Sequence, residues 1–245
     1  MRLMLLFIFV MISQTTFADK IMVAADPWCP YTCDPKTNKK GYMIEILQKA
    51  VPQHEISYQI LSWAKALADT KSQTINAAVG AGDGDKDGMI LTTTMGYSQN
   101  CFFVKKGSSW KYSGLASLEK LNTLGAVNGY TYNEEVDGFV AKNAKKIDPA
   151  PGEDALGINT KKVIAGRTDA FIEDLNVTEA YLKENKITNI ESAGCIESVP
   201  LYVAFSFKHP KAKKYIEEIN AGVDKLRKSG ELQKILDNYG VKNFN

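Results

Sequence analysis

The sequence predicts an α/β protein whose strand and helix alternation runs through once and then begins again. Three observations carry that expectation. Short apolar runs of strand length alternate with segments of helical spacing from Lys20 to about Ala81; the alternation restarts at Cys101; and the chain closes on two consecutive amphipathic helices. With 245 residues and 44% hydrophobic content, the chain can bury one large core or two smaller ones.

The first run opens with "KIMVAA", a strand, which ends in "DPWCPYTCDPKTNKKG", a loop punctuated by Pro and Cys. "YMIEILQKAV" has helical spacing and "EISYQIL" alternates as a strand does. "SWAKALADTKS" is a helix with Ser62 as its N-cap, and "TINAAVGA" is a further apolar strand. Strand, helix, strand, helix, strand predicts parallel strands, with loops gathered at their C-terminal ends, where ligands usually sit. In the second run "CFFVKK", "TLGAV" and "TDAFIED" are strands. "SLEKL", the segment ending in "NEEVDGFVAKN", "ALGINTKKVIAG" and "LNVTEAYLKEN" are helices. After a strand at "VPLYVAFS", two helices follow, with Gly230 and Gly240 as their stops.

The formal charge is +2, and Lys and Arg are scattered singly or in pairs, which argues against nucleic-acid binding. At the N-terminus Arg2 precedes the apolar run "LMLLFIFVMI" and then a polar stretch, with Thr16 and Ala18 at the −3 and −1 positions of a cleavage site. Residues 1–18 are therefore expected to be a secretory signal peptide, the run being short for a membrane anchor, and the mature chain is expected in the periplasm. Cys29 lies too far downstream to be a lipoprotein cysteine.

An oxidising compartment favours disulfides, and the cysteine count is four, an even number. Of the roughly three connectivities open to four cysteines, the short spacing of "CPYTC" favours Cys29 with Cys33, leaving Cys101 for Cys195. The rival is zinc, which would have to draw on His54 and His209, neither close to a cysteine in sequence.

"VGAGDGDKDGMILTTT", Val79 to Thr94, admits several chemistries. Asp83, Asp85, Asp87 and Gly88 match the opening of a calcium loop, but Thr94 stands where the closing Glu is required. Gly80, Gly82 and Gly84 suggest a phosphate cradle, yet no "GK[ST]" follows and the neighbouring carboxylates would repel phosphate.

Four phrases in order, "ADPWCPY" with "GYMIEILQKA", "LGAVNGYTYNEEV", "VIAGRTDAFIEDLNVTEAYL" and "GVDKLRKSGELQKILDNYG", resemble family 3 of the bacterial solute-binding proteins, periplasmic receptors for polar amino acids and similar molecules. The resemblance covers nearly the whole mature chain. It implies a type II periplasmic-binding-protein fold, two α/β lobes joined by two hinge strands with the ligand in the cleft between them. The implied boundaries are 19–99 with 203–245 for the first lobe and 100–202 for the second, which brings Cys101 and Cys195 to neighbouring crossovers within bridging reach.

The resemblance also locates candidate ligand residues. In the family the loop after the strand that matches "NAAVGA" carries an arginine that clamps the ligand's α-carboxylate. Here no arginine occurs between Arg2 and Arg167, and a lysine such as Lys86 cannot supply the same planar fork. Ala81, Gly82 and Asp83 thus belong to a rebuilt ligand loop. Asp174 stands where the family holds the aspartate that accepts the ligand's ammonium group, although its place before "LNVTEAYL" also suits a helix N-cap. Asp26, Trp28, Tyr31, Trp63, Tyr130 and Tyr132 fall at strand ends that would face the cleft, where rings can sandwich a cationic group or serve as core. Gly129 and Thr131 could present donors at a helix start, and Ser98 and Asn100 lie beside the crossover.

The resemblance implies a monomeric binding protein that delivers a small polar, amine-bearing solute to an inner-membrane ABC transporter permease, with no cofactor or metal. Two further classes fit the fold: a sensory module and, with Glu173 and Asp174 as its carboxylates, a dehydratase-like enzyme. Against the enzyme, no nucleophile is paired with a base and neither histidine lies in a candidate loop.

Overall fold

The computed structural model describes residues 19–241; the signal peptide expected at 1–18 lies outside them. In chain order the first elements are β1 (Lys20–Ala25), α1 (Tyr42–Ala50), β2 (Glu55–Ile60), α2 (Trp63–Lys71), β3 (Ala77–Ala81), β4 (Met89–Leu91) and β5 (Gly96–Ser98). The middle of the chain forms β6 (Asn100–Lys105), α3 (Leu115–Leu118), β7 (Leu124–Val127), α4 (Glu134–Lys142), β8 (Ile147–Ala150), α5 (Ala155–Ile164), β9 (Ala170–Asp174), α6 (Leu175–Glu184) and β10 (Ile190–Cys195). The last elements are β11 (Val199–Ser206), α7 (Ala212–Lys228) and α8 (Glu231–Asn238).

These elements build two sheets. The first runs β2-β1-β3-β11-β4, with β5 also paired to β11; the second runs β10-β6-β9-β7-β8. β1 is parallel to β2 and β3, and β7 is parallel to β8 and β9, as alternating strands and helices require. The strands at the crossovers are antiparallel: β11 to β3, β4 and β5, and β6 to β9 and β10. The chain passes from one sheet to the other at Gln99 and returns between Cys195 and Val199, giving the two-lobed α/β fold with paired hinge strands.

β1 shows why its sequence makes a central strand. Ile21, Val23 and Ala25 pack into the core formed with α1, α7 and α8, whereas Ala24 faces the opposite core with Trp63 and Ala66 of α2. A strand that is buried on both faces is apolar throughout. The second sheet follows the same rule: Phe102 and Val104 enter one cluster, Cys101 and Phe103 the other. Each such Ile or Phe side chain contributes roughly 1.5–3 kcal/mol when fully buried.

Four strands are not legible in the sequence. β4 and β5 are three residues each. β8 contains Pro149 and survives because it lies at the sheet edge, where a missing N–H costs no ladder bond. β10 carries a register shift between Ser192 and Cys195, which breaks its alternation. The helix expected at "SLEKL" is four residues at Leu115–Leu118, and Ser62 stands at the N-cap of α2 without a side-chain cap bond. β11 lies wholly in the first sheet, with Tyr202 opposite Ala81 and Val199, Pro200 and Leu201 opposite β5. Both disulfides, Cys29–Cys33 and Cys101–Cys195, are present; the second joins residues directly opposite in the β6–β10 register.

Candidate functional site

β1 ends at Ala25, and Asp26 opens the loop that follows. A bridge between Trp28 and Thr32 and the Cys29–Cys33 disulfide hold this loop, so its two rings have fixed directions. Trp28 stacks on Tyr31 with centroids 4.3 Å apart, and its indole N–H donates to Glu173 Oε1 at 2.9 Å. The Tyr31 hydroxyl donates to Asp174 Oδ2 at 3.0 Å. Both side chains of the first lobe thus reach the end of β9 in the second.

The loop after β7 reaches back the other way. Gly129 has φ +85° and sits with its Cα against Ala64 of α2, where a built Cβ would lie 3.0 Å from the Ala64 Cβ. A Cβ on Gly84 would lie 2.7 Å from the Thr131 side chain, so this approach of the two lobes needs a bare backbone. Tyr130 is carried between them. Its ring meets Trp28 edge-on at 6.4 Å and Trp63 edge-on at 6.5 Å, and its hydroxyl donates to Asp26 Oδ2.

The cleft that results is lined by Asp26, Trp28, Trp63, Gly82, Ser98, Asn100, Tyr130, Thr131 and Tyr132, all candidates from the sequence, together with Gly80, Asp85, Val199 and Leu201. The cleft, counted with its open mouth, has a volume of about 470 Å³. The remaining candidates are placed elsewhere. Tyr31 is buried behind Trp28, Ala81 is buried in the first sheet, and Gly129 backs onto Ala64. Asp83 is exposed and pairs with Lys86 at 2.6 Å.

Asp174 is the main departure from expectation. Its Oδ1 accepts from the Val177 N–H at 3.0 Å, capping α6, and its Oδ2 accepts from Ser98 Oγ at 2.9 Å, Gln99 N–H at 3.0 Å and Tyr31. With four protein donors and no exposed surface, the carboxylate faces the hinge and does not line the cleft. Burial still pushes its titration upward against those hydrogen bonds.

The cleft's own acids are Asp26 and Asp85, each pushed up to about 6 by burial. The Asp85 carboxylate accepts from the Gly82 N–H at 2.9 Å. Glu173, 2% exposed and behind Trp28, is pushed up to about 8, again by burial first. No Lys, Arg or His is among the residues lining the cleft. Asp85 and Glu173 were not named as ligand residues from the sequence. In the sequence Glu173 stands out only as a carboxylate of the enzyme reading, and Asp85 as one carboxylate of three in an acidic stretch.

Each of the three carboxylates in that acidic stretch has a protein partner. Asp85 turns inward to Gly82, Asp83 takes Lys86, and Asp87 takes Lys71 at 3.2 Å. Among the described residues no group of three or more His, Cys, Asp or Glu side chains is placed to hold a metal ion.

Residues 21–242 match the model of the bacterial extracellular solute-binding proteins, family 3. The probable amino-acid-binding protein YxeM of Bacillus subtilis is 24% identical over 86% of this chain and 79% of its own length. Among solved structures, a histidine kinase sensor domain with similarity to periplasmic binding proteins superposes with a TM-score of 0.76 at 17% identity, covering 91% of this chain and 96% of that one. An ancestral arginine-binding protein bound to arginine gives 0.75 at 18% identity, with 91% and 99% covered. At those identities the structures establish the fold, and the family match adds the class of small-solute binding proteins.

Proposed function

Given that the chain belongs to the family 3 bacterial extracellular solute-binding proteins, we propose that it is a monomeric periplasmic receptor that closes over a small amine-bearing solute and delivers it to an inner-membrane ABC transporter. The observation that carries this reading is the chemistry of the cleft, two partly desolvated carboxylates, Asp26 and Asp85, among the rings of Trp28, Trp63 and Tyr130, with no cationic side chain in the lining. A carboxylate in such a setting is costly unless a positive group meets it, and an ammonium group does so with charge-assisted hydrogen bonds. YxeM, the relative named above, supports an amino-acid-like size for the solute.

The work is done by domain closure. The hinge is the pair of passages at Gln99 and between Cys195 and Val199, and the closing contacts are those of Gly129 on Ala64 and of Thr131 on Gly84. In the proposed cycle the solute enters between opened lobes and its binding energy holds them shut for recognition by the permease. Periplasmic placement rests on the apolar leader at 1–18 together with the family.

A second reading has an observation of its own. The likeness to a histidine kinase sensor domain favours a module that reports occupancy to a membrane-bound partner. The same closure would serve it, so the two readings share the site and differ in the partner.

Calorimetric titration of the purified protein against amino acids, amines and short oligopeptides tests solute capture. A saturable heat with at least one amine-bearing compound is expected. Silence across the whole panel contradicts it.

A further inference from the structure

Resting on the solute-capture reading above, we propose that the solute is an organic ammonium that carries no carboxylate, held between the Trp28 and Trp63 rings with its charge on Asp26, the position the Tyr130 hydroxyl takes in this structure.

The cleft offers a carboxylate no cationic side chain. An entering carboxylate would meet Asp26 and Asp85 at close quarters, which is repulsive in a partly desolvated slot. Lys86 of the acidic stretch is engaged with Asp83 at 2.6 Å, and Lys71 at the end of α2 with Asp87 at 3.2 Å. The arginines of the described chain, Arg167 and Arg227, are both exposed and away from the lining. On the hinge side Ser98 Oγ is taken by Asp174 at 2.9 Å, and one N–H of the Asn100 amide by Ser98 Oγ at 3.3 Å.

For an ammonium group the same slot is complete. Asp26 gives a charged acceptor whose partner in this structure is a neutral hydroxyl, and an ammonium donor adds the attraction of its own positive charge. Both indoles stand nearly perpendicular to the Tyr130 ring, at 6.4 and 6.5 Å between centroids, and an aromatic face attracts a cation within about 6 Å of its centroid. Asp85, on the Gly82 side of the cleft, is a second acceptor for a solute with another donor. Tyr130 is then a specificity-determining residue. Its hydroxyl competes for Asp26, and a compound displaces it only by bringing a better donor.

Calorimetric titration with matched pairs tests the proposal: agmatine and arginine, cadaverine and lysine, histamine and histidine. The amine of at least one pair is expected to bind about tenfold or more tightly than its amino acid. An amino acid that binds as tightly as its amine, or more so, overturns the proposal while leaving solute capture standing. If neither member of any pair binds and the wider panel is silent too, solute capture falls with it. Asp26→Asn should weaken amine binding about tenfold or more with the fold intact by circular dichroism, and undiminished affinity overturns the role given to Asp26. Tyr130→Phe keeps the ring and removes the competing hydroxyl, so it should tighten amine binding several-fold. If Asp26→Asn does not fold, unchanged or weaker binding by Tyr130→Phe overturns the proposal.

Discussion

The Tyr31 hydroxyl and the Asp174 carboxylate meet at 3.0 Å across the junction of the two sheets, one from the loop after β1 and the other from the end of β9. Ser98 and Gln99, at the first hinge passage, bond to the same oxygen of Asp174. This single carboxylate therefore ties an aromatic loop, a hinge strand and the start of α6.

Asp174→Ala is expected to act on stability first. Losing an N-cap costs roughly 0.5–2 kcal/mol, and leaving buried donors unpaired costs about 1–3 kcal/mol more. At about 2–4 °C per kcal/mol for a chain of this size, the melting temperature should fall by at least about 3 °C. A variant that melts like the wild type but has lost solute binding would show that Asp174 serves the ligand instead.

Glu173 makes folding stability depend on pH. Its ordinary value of 4.5 rises to about 8 in the folded chain because burial disfavours the charged form. The folded state therefore holds a proton that the unfolded state has released over this interval, and the stabilisation, complete below about 4.5, is lost as pH rises through about 8. Melting temperatures measured from pH 5 to pH 9 should fall with pH in the wild type and fall less in Glu173→Gln, with the variant gaining most at the alkaline end. Parallel curves for the two proteins would contradict this.

The Cys101–Cys195 disulfide closes 94 residues of the second lobe. On the chain-entropy account a loop of that size contributes about 4–5 kcal/mol. The Cys101→Ser, Cys195→Ser double variant should show a clear drop in its urea midpoint, and an unchanged midpoint would mean that the denatured chain is already compact without the bridge.

Trp63 offers a ring to the cleft and apolar volume to the core beside Ala24 and Ala66. Trp63→Leu keeps part of that volume and removes the π face. Amine binding should weaken about 2- to 30-fold, the equivalent of a cation–π contact of about 0.5–2 kcal/mol. Undiminished affinity would confine Trp63 to packing.

Much of the fold was legible because β1, β7 and β9 are apolar on both faces and the helices between them keep their spacing. The strands that escaped notice, at "MIL", "GYS", "IDPA" and "IESAGC", are short, or carry Pro149 at an edge, or break their alternation at Gly194. In the site the aromatic positions Trp28, Trp63 and Tyr130 could be read from where strands and helices end, since strand ends face the cleft. The roles of the acids could not. Asp26, Asp85, Glu173 and Asp174 differ in what they face, and that depends on contacts between residues more than a hundred positions apart, such as Tyr130 with Asp26 and Trp28 with Glu173. Local sequence carries no record of such pairings, and a residue at a family's ligand position can equally be a cap, as Asp174 is here.

The most direct test of the central claim is a crystal structure of the protein grown with the amine that binds best in calorimetry. The account predicts the amine nitrogen within about 3 Å of an Asp26 carboxylate oxygen, flanked by the Trp28 and Trp63 rings, with Asp174 still bonded to Tyr31 and Val177. An amine held on Asp174, with Asp26 still bonded to Tyr130, would contradict it.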